Sequence, residues 1–288
     1  MMKAVMFMLE NCKIVADSSA DLLTGALEHV PFVSVPMVVT AEGVDWVDDA
    51  SADPVKLVEF LHSNKGKSSS ACPGTGKWEE AFGDAQHVFC VTITSGLSGS
   101  YNAARVAAQE YEAEHPGRRV HVIDSLSAGP VLTLLVQKLE ELCMEHDDFD
   151  AVVQAITAYQ QHTYLTFTLK TLHNFVCNGR VSPAIGAMAG LLGIRIVGVA
   201  SETGHLQVAG KCRNERKAIA EILDIMKKRG YEGGKALIHH CCNEEMAQKL
   251  REAIKAAWAD AKITIDKTRL LCSYYADDGG LLLGFETA

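Results

Sequence analysis

The stretch with the most chemical potential is TSGLSGS, Thr94 to Ser100, where two glycines stand among four hydroxyl side chains. It follows the apolar run HVFCVTI and precedes the alanine-rich run NAARVAA, so it reads as a strand-to-helix turn. Such a turn aims backbone N–H groups and the positive end of a helix dipole at one spot, a setting that attracts an anion. Gly96 and Gly99 allow close approach of the backbone to a ligand, and Thr94, Ser95 and Ser98 can donate hydroxyl hydrogens. The same residues also suit a plain helix cap, with Ser98 as the capping side chain.

Sharper motifs fail on their spacing. A nucleophile elbow needs glycines two before and two after the serine; Ser98 has Gly96 before it but Ser100 after. A phosphate-binding P-loop needs G-x-x-x-x-G-K-[ST], and in ACPGTGKW Lys77 is followed by Trp78, with Ala71 at the first glycine position. A second hydroxyl-rich stretch, KGKSSSACPG from Lys65 to Gly74, reads as another turn, which suits either a plain loop or a second arm converging on one ligand head group. Hydroxyls without a marked histidine or carboxylate partner suit binding better than nucleophilic attack. HHCC, His239 to Cys242, reads as a strand end, because neighbours on a strand face opposite ways and do not share one metal. Asp17 and Asp124, each after a strand, read as capping and turn residues rather than paired acid-base carboxylates.

The elements that must hold these turns alternate between strand and helix. KIVAD, VPFVSVPMVVT, HVFCVTI and RVHVID read as strands, the second broken by Pro31 and Pro36 and so an edge strand. DPVKLVEFLHS, the run from Asn102 and VLTLLVQKLEELCMEH read as helices. That alternation predicts a mostly parallel sheet flanked by helices. After the acidic turn EHDDFD, TYLTFTL, IRIVGVA, HLQVAG, GKALIHHC and TRLLCSYY read as strands, with helices at about 183–192, 214–228 and 243–257. The expected fold class is α/β with two domains, 1–160 and 161–288.

Composition narrows the partners. At net charge −9 the chain has little electrostatic support for nucleic acid, and no apolar run approaches the roughly 20 residues of a membrane span. The opening MMKAVMFML lacks a small-residue cleavage site and reads as a frayed end or a first strand. Nine scattered cysteines without a C-x-x-C pair fit reduced thiols in the cytoplasm better than disulfides or zinc.

In series, IVADSSADL, SSSACPG, ITSGLSGSYNAA, VIDSLSAG and NGRVSP resemble the DegV family of bacterial fatty-acid-binding proteins, from about Lys13 to Phe285. The resemblance implies two α/β domains with one long-chain fatty acid in a tunnel between them. It also implies no other cofactor, no catalysis, and presentation of the acid to a fatty acid kinase. On this chain the hydroxyls it assigns to the carboxylate are Ser68 or Ser69 and Ser95, with Gly96, Ser98 and Gly99 shaping the turn. Tyr275 stands where the family has a histidine, and Asp277 and Asp278 where it has glycine and proline; a tyrosine can donate but carries no charge, and aspartates facing the ligand would repel it. Ser70, Ala71 and Cys72 also depart from the family's pattern. Arg180 and Arg213 are the arginines it offers to a docking partner, and PAIGAMAGLLGIRI, Pro183 to Ile196, supplies tunnel material. Two other functions remain open: a serine-dependent acyl hydrolase or transferase using Ser95 or Ser98, and a docking module that has lost its ligand.

Overall fold

The computed structural model describes residues 8–64, 66–187 and 193–287. Four parallel strands, β1 (Cys12–Asp17), β2 (Phe32–Val35), β6 (His87–Thr92) and β7 (Arg119–Asp124), form a sheet ordered β2-β1-β6-β7. VPFVSVPMVVT is divided: β2 is the edge of this sheet, while β3 (Val38–Ala41) pairs antiparallel with β4 (Val44–Val47) and β5 (Ser68–Ala71) in a small separate sheet. Pro36 lies between the two strands, where a missing N–H costs no ladder bond. The SSSA expected as a turn is therefore strand β5. Its pairing with β3 turns Ser68 and Ser70 inward and leaves Ser69 exposed.

Beside these sheets run α1 (Pro54–Ser63), α2 (Thr75–Phe82) and α3 (Ser100–Glu114). Trp78, Phe82, Ala104, Ala107 and Tyr111 bury the inner faces of α2 and α3 against the parallel sheet. On its other face lie α4 (Pro130–Glu145) and α5 (Phe149–Gln160). The apolar residues of α4 do not keep to one stripe: Val131, Leu132, Leu134, Leu135 and Val136 are all buried. A helix whose first turns are apolar all round must have those turns covered all round. Accordingly α4 touches β1 and β6 on one side and the second large sheet on the other.

That second sheet has six strands: β8 (Thr163–Leu169), β9 (Arg195–Ala200), β10 (Leu206–Cys212), β11 (Lys235–His240), β12 (Lys262–Lys267) and β13 (Leu281–Glu286). Their order is β10-β9-β8-β13-β11-β12, and only β11 and β12 run parallel. Helices α8 (Glu215–Lys228) and α9 (Glu244–Ala257) cover the face away from α4. Short helices α6 (His173–Cys177), α7 (Pro183–Gly186) and α10 (Leu270–Ala276) complete the described chain. The opening residues 1–7, Lys65 and half of the expected helix 183–192, residues 188–192, lie outside the described residues.

TRLLCSYY, expected as a strand, contains helix α10. Its apolar residues have no period because it is buried on all sides, the ambiguity a short apolar run presents. Its start is fixed by a distant side chain: the Leu270 and Leu271 N–H groups donate to Asp48 at 3.2 and 3.0 Å. No local sequence signal carries that cap.

Candidate functional site

Between the parallel sheet, β5, α10 and β8–β10 lies a cavity of about 300 Å³. Its floor is apolar: Leu165, Phe167 and Leu169 from β8, Leu206, Leu271 and Leu282. Its polar rim comes from Ser70, Thr94, Ser98, Ser127, Arg180, His205 and Tyr275.

The TSGLSGS turn is built by the acidic residues at two strand ends. Asp17, wholly buried at the end of β1, accepts from the Ile93 N–H at 2.9 Å and the Ser100 hydroxyl at 2.6 Å, so it pins both ends of the turn. Burial pushes its carboxyl above the usual range, against the pull of those hydrogen bonds. Asp124, at the end of β7, accepts from Ser95 and Leu126 N–H groups at 3.0 and 3.1 Å. Both aspartates thus cap and clamp.

Within the turn, Thr94 is buried and its Oγ1 accepts from Gly96 N–H, while Ser98 Oγ accepts from Ser100 N–H at 3.2 Å. Both hydroxyl hydrogens are left to point elsewhere. Helix α3 begins at Ser100, preceded by Gly99, which caps it without a side-chain bond. Across the rim, the turn at Gly204 presses on the same place. A Cβ on Gly204, whose φ is +73°, would lie 1.9 Å from Thr94 Oγ1, and one on Gly96 would lie 2.9 Å from Thr203 O. Only residues without side chains let these two turns meet.

Of the five buried side-chain polar atoms without a partner among the described residues, Ser127 Oγ is the one at the cavity. Ser127 itself is 5 % exposed. An unpaired buried hydroxyl costs roughly 1–3 kcal/mol, so its presence beside an apolar cavity points to a ligand acceptor.

On the opposite rim Ser70 Oγ and Tyr275 OH are 2.7 Å apart, and the Tyr275 ring packs tilted against Phe175 with centroids 4.6 Å apart. Ser68 instead meets Tyr274 OH at 2.8 Å, and Asn178 donates to that same phenol at 2.7 Å. Burial pushes both phenols upward, so they stay neutral donors. Arg180 donates from Nε to Leu97 O at 2.7 Å and from Nη1 to Asn178 O at 2.6 Å, which fixes its guanidinium at the rim.

Of the residues singled out from sequence, Ser98, Gly99, Tyr275 and Arg180 line the cavity. Ser68, Ser69, Ser95 and Gly96 stand beside it, with Ser69 and Ser95 exposed, and Arg213 is exposed at the end of β10. Their neighbours Ser70 and Thr94 take the inward positions. Asp277 and Asp278 do not face the cavity: His62 Nε2 meets Asp277 at 2.6 Å and Lys170 holds Asp278 at 3.0 Å. In HHCC, His239 is buried against Asp21 at 2.8 Å, and His240 receives the Asn243 N–H. Among the described residues no group of three or more His, Cys, Asp or Glu is placed to hold a metal, and no helix is long and apolar enough to cross a membrane. All nine cysteines are unpaired.

The family model described as "Uncharacterised protein, DegV family" matches residues 11–285. A DegV domain-containing protein of Streptococcus pneumoniae is 44% identical over 277 residues, 95% of this chain and 98% of that one. Two solved structures superpose closely. The fatty acid kinase B3 protein of Streptococcus pneumoniae, loaded with linoleic acid, gives a TM-score of 0.94 at 43% identity, covering 96% of this chain and 99% of that chain. A DegV family protein of Eubacterium eligens, loaded with heptadecanoic acid, gives 0.93 at 40% identity, covering 96% and 100%.

Proposed function

This chain belongs to the DegV family, and on that footing we propose that it binds one long-chain fatty acid in the cavity, without catalysing a reaction on it. The observation that carries the reading is Ser127: a buried hydroxyl without a partner at the edge of an apolar cavity. A cavity of about 300 Å³ is of ligand-site size, where such sites run from roughly 300 Å³ upward. The solved relatives carrying heptadecanoic and linoleic acid support the ligand class.

A carboxylate taken out of water needs several donors, and an acyl chain needs only apolar walls. Ser127, Thr94 and Ser98 offer three hydroxyls to the head group. The Ser70–Tyr275 couple adds a fourth donor, since two hydroxyls use one hydrogen between them and keep one to give. The start of α3 and the Arg180 guanidinium add positive potential. Ser68, Ser69, Ser95 and Gly96 act a step behind, by holding the turns that present these groups. At about 0.8 kcal/mol per buried methylene the chain supplies most of the affinity, and the rim supplies the choice of head group.

The two parts of the chain, 1–160 and 161–288, then hold the ligand from opposite sides. The bound acid is the only cofactor in this reading. Arg180 and exposed Arg213 meet a fatty acid kinase that phosphorylates the acid, and a cytoplasmic location is the setting in which nine unpaired thiols stay reduced. A hydrolase needs a base on its serine, and the partner of Ser98 Oγ is instead the Ser100 N–H.

The test is calorimetric titration of delipidated protein with palmitic acid, palmityl alcohol and methyl palmitate. Binding of one acid per chain, at least tenfold tighter than alcohol or ester, is the expected result. Equal affinity for all three, or no binding, overturns the reading.

A further inference from the structure

Phe167 forms the middle of the cavity's sheet wall, and its neighbours leave its ring one place to lie. Leu165 and Leu169 precede and follow it on the same face of β8. On one side its cross-strand partner is Leu282 of β13, and on the other it is Gly198 of β9. The ring lies over Gly198: a Cβ there would fall 2.4 Å from Phe167 Cζ and 2.5 Å from Cε2. Ordinary contact begins at 3.4 Å, so a methyl group at 198 would force the ring outward by about 1 Å. The sheet lies behind the ring and leucines stand on the other sides. The direction left open is into the cavity.

We propose that Gly198 determines which acyl chains this protein accepts, by seating the Phe167 ring flat on β9 and so keeping the cavity wide. This rests on the fatty-acid reading above. A substituent at 198 narrows the cavity where the middle of the chain passes, so long chains lose buried methylenes before short ones do. Each methylene expelled weakens binding about fourfold. Smaller side chains at 167 act in the opposite sense.

The experiment measures dissociation constants of saturated acids from twelve to twenty carbons for the wild type, Gly198→Ala and Phe167→Leu, with thermal melts alongside. Gly198→Ala is expected to weaken the longest acids at least fourfold more than the shortest, and Phe167→Leu to favour the longest. A Cβ at 198 would also approach Gln207 O to 2.8 Å, so Gly198→Ala can fail to fold; Phe167→Leu then decides alone. Unchanged chain-length profiles in folded variants overturn the proposal while leaving fatty-acid binding intact. A wild type that binds none of the acids overturns the reading beneath it instead.

Discussion

Replacing Ser127 by alanine should have opposite effects on the empty and the loaded protein. In the empty protein the Ser127 hydroxyl is buried with no partner among the described residues. Removing it relieves a desolvation cost of roughly 1–3 kcal/mol, partly offset where a water reaches the cavity. Taking the low end, about 1 kcal/mol, a chain of this size gains about 2 °C in melting temperature. In the loaded protein the hydroxyl donates to a carboxylate, a charge-assisted bond of roughly 1.5–3 kcal/mol. Its loss weakens the acid about 10- to 150-fold. The fatty alcohol, a weaker acceptor, should lose far less. Melting of delipidated Ser127→Ala measures the first effect, and titration with palmitic acid and palmityl alcohol measures the second. A destabilised empty variant, or undiminished affinity for the acid, would refute the assignment of Ser127 to the head group.

Tyr275→Phe keeps the ring contact with Phe175 but removes the hydroxyl that meets Ser70 at 2.7 Å. Ser70 can still donate its hydrogen, so affinity should fall less than about fivefold while stability drops by about 1 kcal/mol; a loss of a hundredfold on titration would make Tyr275 itself the principal donor. Gly204→Ala places a methyl 1.9 Å from Thr94 Oγ1 at a φ of +73°, so it should part the two turns. A melting point lowered by several degrees and at least tenfold weaker binding are expected, and wild-type values for both would show that the turns need not meet. Burial holds the Asp48 carboxyl up at about 6, against an ordinary 3.8. With the folded value raised, the folded state binds the extra proton, so stability is present at low pH and falls as pH rises from about 4 to about 6, on the order of 3 kcal/mol in total. Denaturant titrations across that window should show the wild type losing stability relative to Asp48→Asn by that amount as pH rises; parallel profiles would contradict it.

Sequence alone revealed the parts of the fold whose causes are local. The β1, β6 and β7 strands with α3 and α4 follow from short apolar runs alternating with helical spacing, and the strand end at HHCC from side-chain alternation. Pairing partners were not legible. Nothing near Val38 or Ser68 states that β3 and β5 leave the parallel sheet to pair with each other, and α10 owes its start to Asp48, more than 200 residues away. The same limit acted at the site. Both hydroxyl-rich stretches lie at the cavity, but which serine points inward depends on register and turn geometry. Period-2 alternation applied to SSSA pairs Ser68 with Ser70 and opposes Ser69, yet only the contact with β3 decides which face is inside. Ser127 had no signal beyond its place in VIDSLSAG, because its isolation from partners is a property of the whole cavity. Asp277 and Asp278 looked repulsive until His62 and Lys170, both distant in sequence, were found holding them.

The most direct test of the central claim is native mass spectrometry of the gently purified protein, followed by extraction and identification of whatever it carries. One fatty acid per chain, displaced by added palmitic acid, is the result expected. A chain that arrives empty and takes up no acid on addition would contradict the account.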